Sequence, residues 1–489
     1  MIDRRQFLLR SLASGSLAGG RLALPLSPAL FPVSGPAFAT EDGFTELKAM
    51  RARAPLLGPD SPETDVWSYN GVVPGPVVRA RRGEQVKVRL VNALDEPTTI
   101  HWHGIRIENA MDGVAGLTQE PVRPGDSFDY VFTAPDAGTY WYHSHNKSWE
   151  QMARGLYGRL IIDGDADDFA TDHTLMIDDW RLGQDGAIDE RSLGSMMDWS
   201  HAGRLGNWVT VNGATFPEQV LAANGANRLR LVNPSNARIY ELVFKGLDVR
   251  LIGLDGQIFD RPRPVEGPLV LSPAQRADLV AFGAGSKNAE ILALNGDGMV
   301  ALAGFTLSED IGSENSAGNA DVPVLKPNSL PEPDLDDALA VDLIMEGGAM
   351  GMMTGARMGR GGMMGGGMMG GGMMGMRDLV QNGFAWAFNG VAGMPDEPLF
   401  AAPRGRSVRI TMVNDTRWPH AMHLHGHHFR VLSRDGRPEP DTPWRDTVTA
   451  DAAQKVEIAF VADNPGKWLL HCHMTEHMAA GMVTWFEVA

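Results

Sequence analysis

Gly83-Glu84-Gln85-Val86-Lys87-Val88-Arg89-Leu90-Val91-Asn92 sets apolar and polar residues in alternation between a glycine and an asparagine. A period of two brings Val86, Val88 and Leu90 to one face of an extended segment, so the stretch reads as a half-buried β-strand closed by a turn. It is echoed by Gly405-Arg406-Ser407-Val408-Arg409-Ile410-Thr411-Met412-Val413-Asn414, and again by Gly225 to Asn233, which ends Arg230-Leu231-Val232-Asn233. Three copies of one unit in 489 residues, with Gly, Pro and Asn turns between short apolar runs, predict an all-β chain of about three sandwich or barrel domains. Each is long enough to bury its own core.

The repeat register carries the chemistry. Nine and eleven residues past the closing asparagine lie His101 and His103 in the first copy and His423 and His425 in the third. The middle copy has Leu242 and Phe244 there and reads as a structural spacer without metal ligands. Gly138 precedes His143 by five residues as Gly466 precedes His471, giving two further pairs, His143/His145 and His471/His473. On a strand, residues i and i+2 face the same way, so each pair offers two imidazoles to one side. Cys472, the single cysteine, points to the other side, and His477 and Met482 follow it at five-residue steps. With His420 they form a His₂Cys set with a weak axial Met, the ligand set of a blue-copper centre. In the first copy the corresponding positions are Thr98, Ser144, Trp149 and Arg154, so only the third copy can hold such a centre. His173, His201, His427 and His428 fall outside these patterns and read as satisfied surface or core histidines.

His101-Trp102-His103-Gly104, His143-Ser144-His145, His420-Ala421-Met422-His423-Leu424-His425 and the run from His471 to Met482 resemble, in this order, the four motifs of the multicopper oxidases. The resemblance implies three cupredoxin-like Greek-key β-barrel domains at 40–170, 171–325 and 377–489, with 326–376 as linker and loop. It implies four copper ions as cofactors. Type 1 copper would be held by His420, Cys472, His477 and Met482, and type 2 copper by His101 and His423. Of the two type 3 ions, one would take His103, His143 and His473, and the other His145, His425 and His471. Asp112 matches an acidic position that relatives use near the cluster, and is the candidate catalytic carboxylate for proton supply. Met478 stands where many bacterial relatives have Glu directly after the second type 1 histidine, which puts the usual proton route on that side in doubt. The implied reaction takes one electron at a time from a donor and reduces O₂ to two waters.

Met345 to Arg377 holds twelve of the 26 methionines, interspersed with glycines that deny it a packed helix. Met352, Met353, Met363, Met364, Met368, Met369, Met373, Met374 and Met376 are candidate ligands for Cu(I), which soft thioethers favour. Relatives active as cuprous oxidases in copper resistance carry Met-rich inserts near the type 1 site. Some of them also place an acid four residues and a Met two residues before the type 1 histidine, where this chain has Thr416 and Trp418. The leading expectation is an oxidase of Cu(I) and of phenolic or aromatic amine donors. A laccase-like organic oxidase with an incidental loop, a non-enzymatic copper-binding protein and a metal-free scaffold are the alternatives.

The net charge of −17 opposes binding to nucleic acid or to anionic membranes. Asp3-Arg4-Arg5-Gln6-Phe7-Leu8-Leu9-Arg10 is a twin-arginine pattern, and Ala37-Phe38-Ala39 offers a cleavage site. Residues 1–39 are therefore expected to be a signal peptide and the mature protein a periplasmic monomer. Arg10, Arg21, Pro25 and Pro28 interrupt the leader too often for a stable membrane span. With one cysteine, no intramolecular disulfide can form.

Overall fold

The computed structural model describes residues 42–164, 168–296, 298–311, 322–323, 325–349, 357–358 and 382–489. The expected signal peptide and the nine singled-out methionines lie outside them.

All three echoes are strands: Gln85–Asn92, Asn227–Val232 and Arg406–Asn414. Each pairs in parallel with a strand from earlier in its own repeat, respectively Thr45–Ala54, Thr171–Trp180 and Leu339–Gly347. On its other side each pairs antiparallel, with Ser127–Thr133, Arg276–Gly283 and Lys455–Ala462. The second sheet repeats in the same way. His101–His103, Tyr240–Lys245 and His420–Leu424 lie antiparallel to Gly138–His143, Asn288–Asn295 and Gly466–Cys472. Those in turn pair with Tyr157–Asp163, Gly298–Ser308 and Val483–Val488. Parallel neighbours cannot be joined by a hairpin, so the chain crosses between the two sheets of each repeat. This is the expected all-β architecture of three cupredoxin-like Greek-key domains.

Three cores fill the space between paired sheets. Val88, Leu90 and Tyr130 belong to the first, Leu229, Leu231 and Leu279 to the second, and Val408, Ile410 and Ile458 to the third. A further cluster including Trp141, Tyr157, Trp180 and Trp208 packs the first domain against the second. Among the described residues no helix is long and apolar enough to cross a membrane.

One expectation needs correction. The span 326–376, read as linker and loop, contains Leu339–Gly347, which extends the sheet of the third domain through seven parallel pairs from Leu339↔Val408 to Met345↔Asn414. Its alternation buries Leu343 and Met345 and exposes Ile344. Strand pairing and a one-sided core have overridden the low-complexity flank that masked the pattern. Replacing Leu343 by Ala should therefore destabilise the protein by about 2–5 kcal/mol, read as a lower unfolding midpoint. Ile344→Ala on the same strand should change it by less than about 0.5 kcal/mol. Equal, small effects would mean that this segment is a linker after all.

Candidate metal centre

The strands bring all eight paired imidazoles together. In the first domain His101 faces His143 across the sheet, and in the third His423 faces His471. The two sheets meet so that His101 lies 4.0 Å from His425 and His103 lies 3.8 Å from His423, ring centre to ring centre. His143 meets His473 with their Nε2 atoms 3.4 Å apart, and His145 lies 5.3 Å from His471. All eight are buried.

The hydrogen bonds fix which nitrogens face inward. Nδ1 of His101 donates to the carbonyl of Asp112 at 2.7 Å, and Nδ1 of His423 to the carbonyl of Asp446 at 2.9 Å. Likewise His143 donates to Ser144 O and His471 to Cys472 O. A neutral imidazole with its proton on Nδ1 carries a lone pair on Nε2. Nε2 of His101, His145 and His423, and Nδ1 of His103 and His473, find no partner among the described residues although buried. His425 Nε2 and His471 Nε2 are only 3.1 Å apart. Inward lone pairs at such spacing repel one another unless a cation lies among them, so the donor set fits metal ions. Burial, reinforced by neighbouring imidazoles, holds His143, His145, His425, His471 and His473 well below the ordinary histidine range, which keeps them neutral and ready to coordinate.

Within this cluster the ligand atoms of His145, His425 and His471 form one compact group. His101 groups both with His423 and His425 and with His103 and His143. Of the expected triad, His143 and His473 approach by Nε2 to 3.4 Å, while His103 turns its Nε2 to Asp446 Oδ1 at 3.3 Å and leaves Nδ1 without a hydrogen-bond partner. Asp446 also groups with His103 and His423, but Arg276 occupies both of its carboxylate oxygens, so it acts as a hydrogen-bond partner.

On the opposite face of Gly466–Cys472 a second site closes. His420 Nδ1 and His477 Nδ1 are 3.0 Å apart, and Cys472 Sγ lies 3.7 and 3.8 Å from them. A point roughly 2 Å from each of the three atoms exists, as nitrogen and sulfur coordination of a first-row ion requires. Met482 is wholly buried in the same core, and its carbonyl accepts from the Cys472 amide at 3.1 Å. Burial lowers the pKa of His477 to about 4 and raises that of Cys472 to about 12.

Asp112, the candidate carboxylate, lies between the two domains' histidines. Buried at the domain boundary, it binds His101 by its carbonyl and His425 Nδ1 by its carboxylate at 3.0 and 3.2 Å. Several other residues at the two sites were not singled out from sequence. Asp446 and Thr447 line the cluster from the third domain, and Trp386 lies 4.9 Å from His420 and 4.5 Å from His477, ring centre to ring centre. The middle domain is not merely a spacer. Its Arg276 binds Asp446, its Asn236 binds Glu476 at 2.6 Å, and the carbonyl of His201 accepts from His477 Nε2 at 2.8 Å. His173 and His427 make ordinary hydrogen bonds, to Val220 O and His425 O, and His428 Nε2 lies against Gln257 and Asp255.

The chain is similar to known proteins. The family described as Multicopper oxidase matches residues 54–167 and 372–489. The crystal structure of a multi-copper oxidase from Pseudomonas thermotolerans is 31% identical, covering 91% of this chain and 98% of that one, with a TM-score of 0.76. The multicopper oxidase MmcO of Mycobacterium tuberculosis is 26% identical over 99% of this chain and 96% of its own. A copper resistance protein A homolog of Pseudomonas syringae pv. tomato is 25% identical over 85% and 87% respectively.

The thiol at about 12 sets a test. Below that pH a metal must displace the Cys472 proton, whereas the His477 imidazole, at about 4, is already neutral near pH 7. Loading metal-free protein with Cu(I) at pH 7 should release about one proton more from the wild type than from Cys472→Ser. The apparent affinity of this site should rise about tenfold per pH unit. An indicator dye reads the release; equal release from both proteins would contradict thiolate binding.

Proposed function

Because this chain belongs to the multicopper oxidase family, we propose that it oxidises Cu(I) one electron at a time and reduces O₂ to water, using four copper ions in a copper-tolerance role. When bound, copper supplies the one-electron carriers and the four-electron reduction of O₂. The type 1 ion would be held by His420, Cys472, His477 and Met482, and the type 2 ion by His101 and His423. The remaining six imidazoles, His103, His143 and His473 with His145, His425 and His471, would hold the type 3 pair. The observation that carries the reading is the position of Cys472 between His471 and His473, with its side chain in one site and its two neighbours in the other. Its carbonyl also accepts from His471 Nδ1 at 2.9 Å, so a covalent and a hydrogen-bonded route join the two sites.

The entrance to the type 1 site favours a small donor. His420 and His477 are fully buried, and their Nε2 atoms are engaged by Thr416 Oγ1 at 2.9 Å and His201 O at 2.8 Å. A phenol therefore has no imidazole edge to touch directly. The described residues that flank the Met-rich segment, Ala349 and Ala385, lie beside this site. Ala349 donates to Ser200 O and accepts from Trp418 Nε1, while Ala385 donates to Ala480 O. Tethering thioethers there raises the local concentration of a weakly held soft ion. Asp112, touching histidines of both domains, is the carboxylate suited to hand protons to the cluster, with Met478 replacing an acid on the other side. A laccase-like oxidation of aromatic donors is the alternative, with Trp418 and His201, 5.5 Å apart, as the surface such a donor would meet. Export by the twin-arginine route to the periplasm completes the proposal.

Two measurements test it. Cys472→Ser should abolish the intense blue absorption and oxidase turnover but leave the type 2 paramagnetic signal; persistent blue colour would refute the type 1 assignment. Replacing 350–376 by a short Gly/Ser linker should lower O₂ consumption with Cu(I) about tenfold or more, while phenol oxidation on the same copper-loaded sample is kept or rises. If both fall in proportion, or cuprous oxidation is unchanged, the aromatic-donor reading takes precedence.

A further inference from the structure

The middle domain supplies none of the candidate ligands among the described residues, yet one of its side chains reaches the edge of the eight-imidazole cluster. Arg276 opens the strand Arg276–Gly283 and is wholly buried. Its guanidinium holds both carboxylate oxygens of Asp446 in the third domain, Nη1 to Oδ1 at 2.8 Å and Nη2 to Oδ2 at 2.5 Å. Its Nε donates to Thr139 O of the first domain at 3.2 Å, and Nη1 also to Ala274 O. Thus held, Asp446 accepts from Thr447 Oγ1 at 2.8 Å and faces His103 Nε2 at 3.3 Å, while its carbonyl accepts from His423 Nδ1. Gly104, which closes the His-Trp-His-Gly motif at φ +84, has the pair packed on it: a Cβ there would overlap both the guanidinium and the carboxylate. The motif glycine thereby makes room for an ion pair contributed by the other two domains.

We infer that Arg276 is a positioning residue of the trinuclear centre, fixing Asp446 so that His103 keeps its proton on Nε2 and turns Nδ1 to the metal. A carboxylate against one ring nitrogen selects the tautomer whose other nitrogen is a lone pair, and Nδ1 of His103 is one of the buried nitrogens without a partner. The planar fork of an arginine fixes a carboxylate in two directions, which a lysine cannot do. The pair is itself enclosed by charge: Asp255 lies 3.6 Å from Arg276 and is held by Arg445 at 2.6 Å, and His428 Nε2 lies 3.7 Å from Asp446. The inference rests on the oxidase reading above, which wild-type copper content and blue colour test separately.

The experiment compares full-length wild type, Arg276→Lys, Arg276→Met, and Arg276→Met combined with Asp446→Leu. In each, cluster copper retained against a chelator, the type 2 paramagnetic signal, the blue type 1 absorption and the unfolding midpoint of metal-free protein are measured. Both single variants should lose cluster copper about 10- to 100-fold more readily, with an altered type 2 signal and blue absorption within about twofold of wild type. The double variant, having no unpaired buried charge, should recover the metal-free midpoint lost by Arg276→Met but not the cluster copper. Wild-type copper retention in Arg276→Met or in the double variant would overturn the inference. So would parallel loss of blue and cluster copper, since the pair would then serve folding alone.

Discussion

Eight buried imidazoles crowded between two β-sheets, with ring nitrogens turned on one another, are the constraint that the rest of this protein serves. Protonation of His143, His145, His425, His471 and His473 is opposed by burial and by the neighbouring rings. Four of the rings, those of His101, His143, His423 and His471, are held by a hydrogen bond from Nδ1 to a main-chain carbonyl, and three of those carbonyls, of Ser144, Asp446 and Cys472, lie on or next to a strand. The precision of the site is therefore a property of sheet register. A one-residue slip of Gly138–His143 or Gly466–Cys472 would turn the imidazoles to the opposite face.

The same register separates two kinds of chemistry by one residue. Cys472 belongs to the core side of its strand and its neighbours to the domain boundary, so a soft thiolate site and a nitrogen-rich site share a single stretch of main chain. The middle domain, which supplies none of the candidate ligands among the described residues, touches both. His201 covers the outward edge of His477, and Arg276 steadies the carboxylate behind His103.

What the sequence made legible follows from what has local spacing. The ligand candidates were recoverable because strand period and residue type coincide at His101, His143, His423 and His471, and the repeated strands because Val86, Val88 and Leu90 alternate in the open. Arg276 and Asp446 were not, since they lie 170 residues apart and neither stands in a pattern before folding joins them. The His201 contact was hidden for another reason: a main-chain carbonyl has no residue-type signature. The strand Leu339–Gly347 was obscured by its neighbourhood, where Gly and Met dominate the composition and seven paired residues carry the only alternation.

The division of the cluster between residues 101–145 and 423–473 has a consequence for biosynthesis. The four histidines of the first domain are synthesised well before those of the third, and the two sets of rings meet only when the third domain docks. A chain interrupted between the two would carry only four of the eight imidazoles. The assembled cluster thus exists only once synthesis and docking are complete, which makes it a seal on the finished fold.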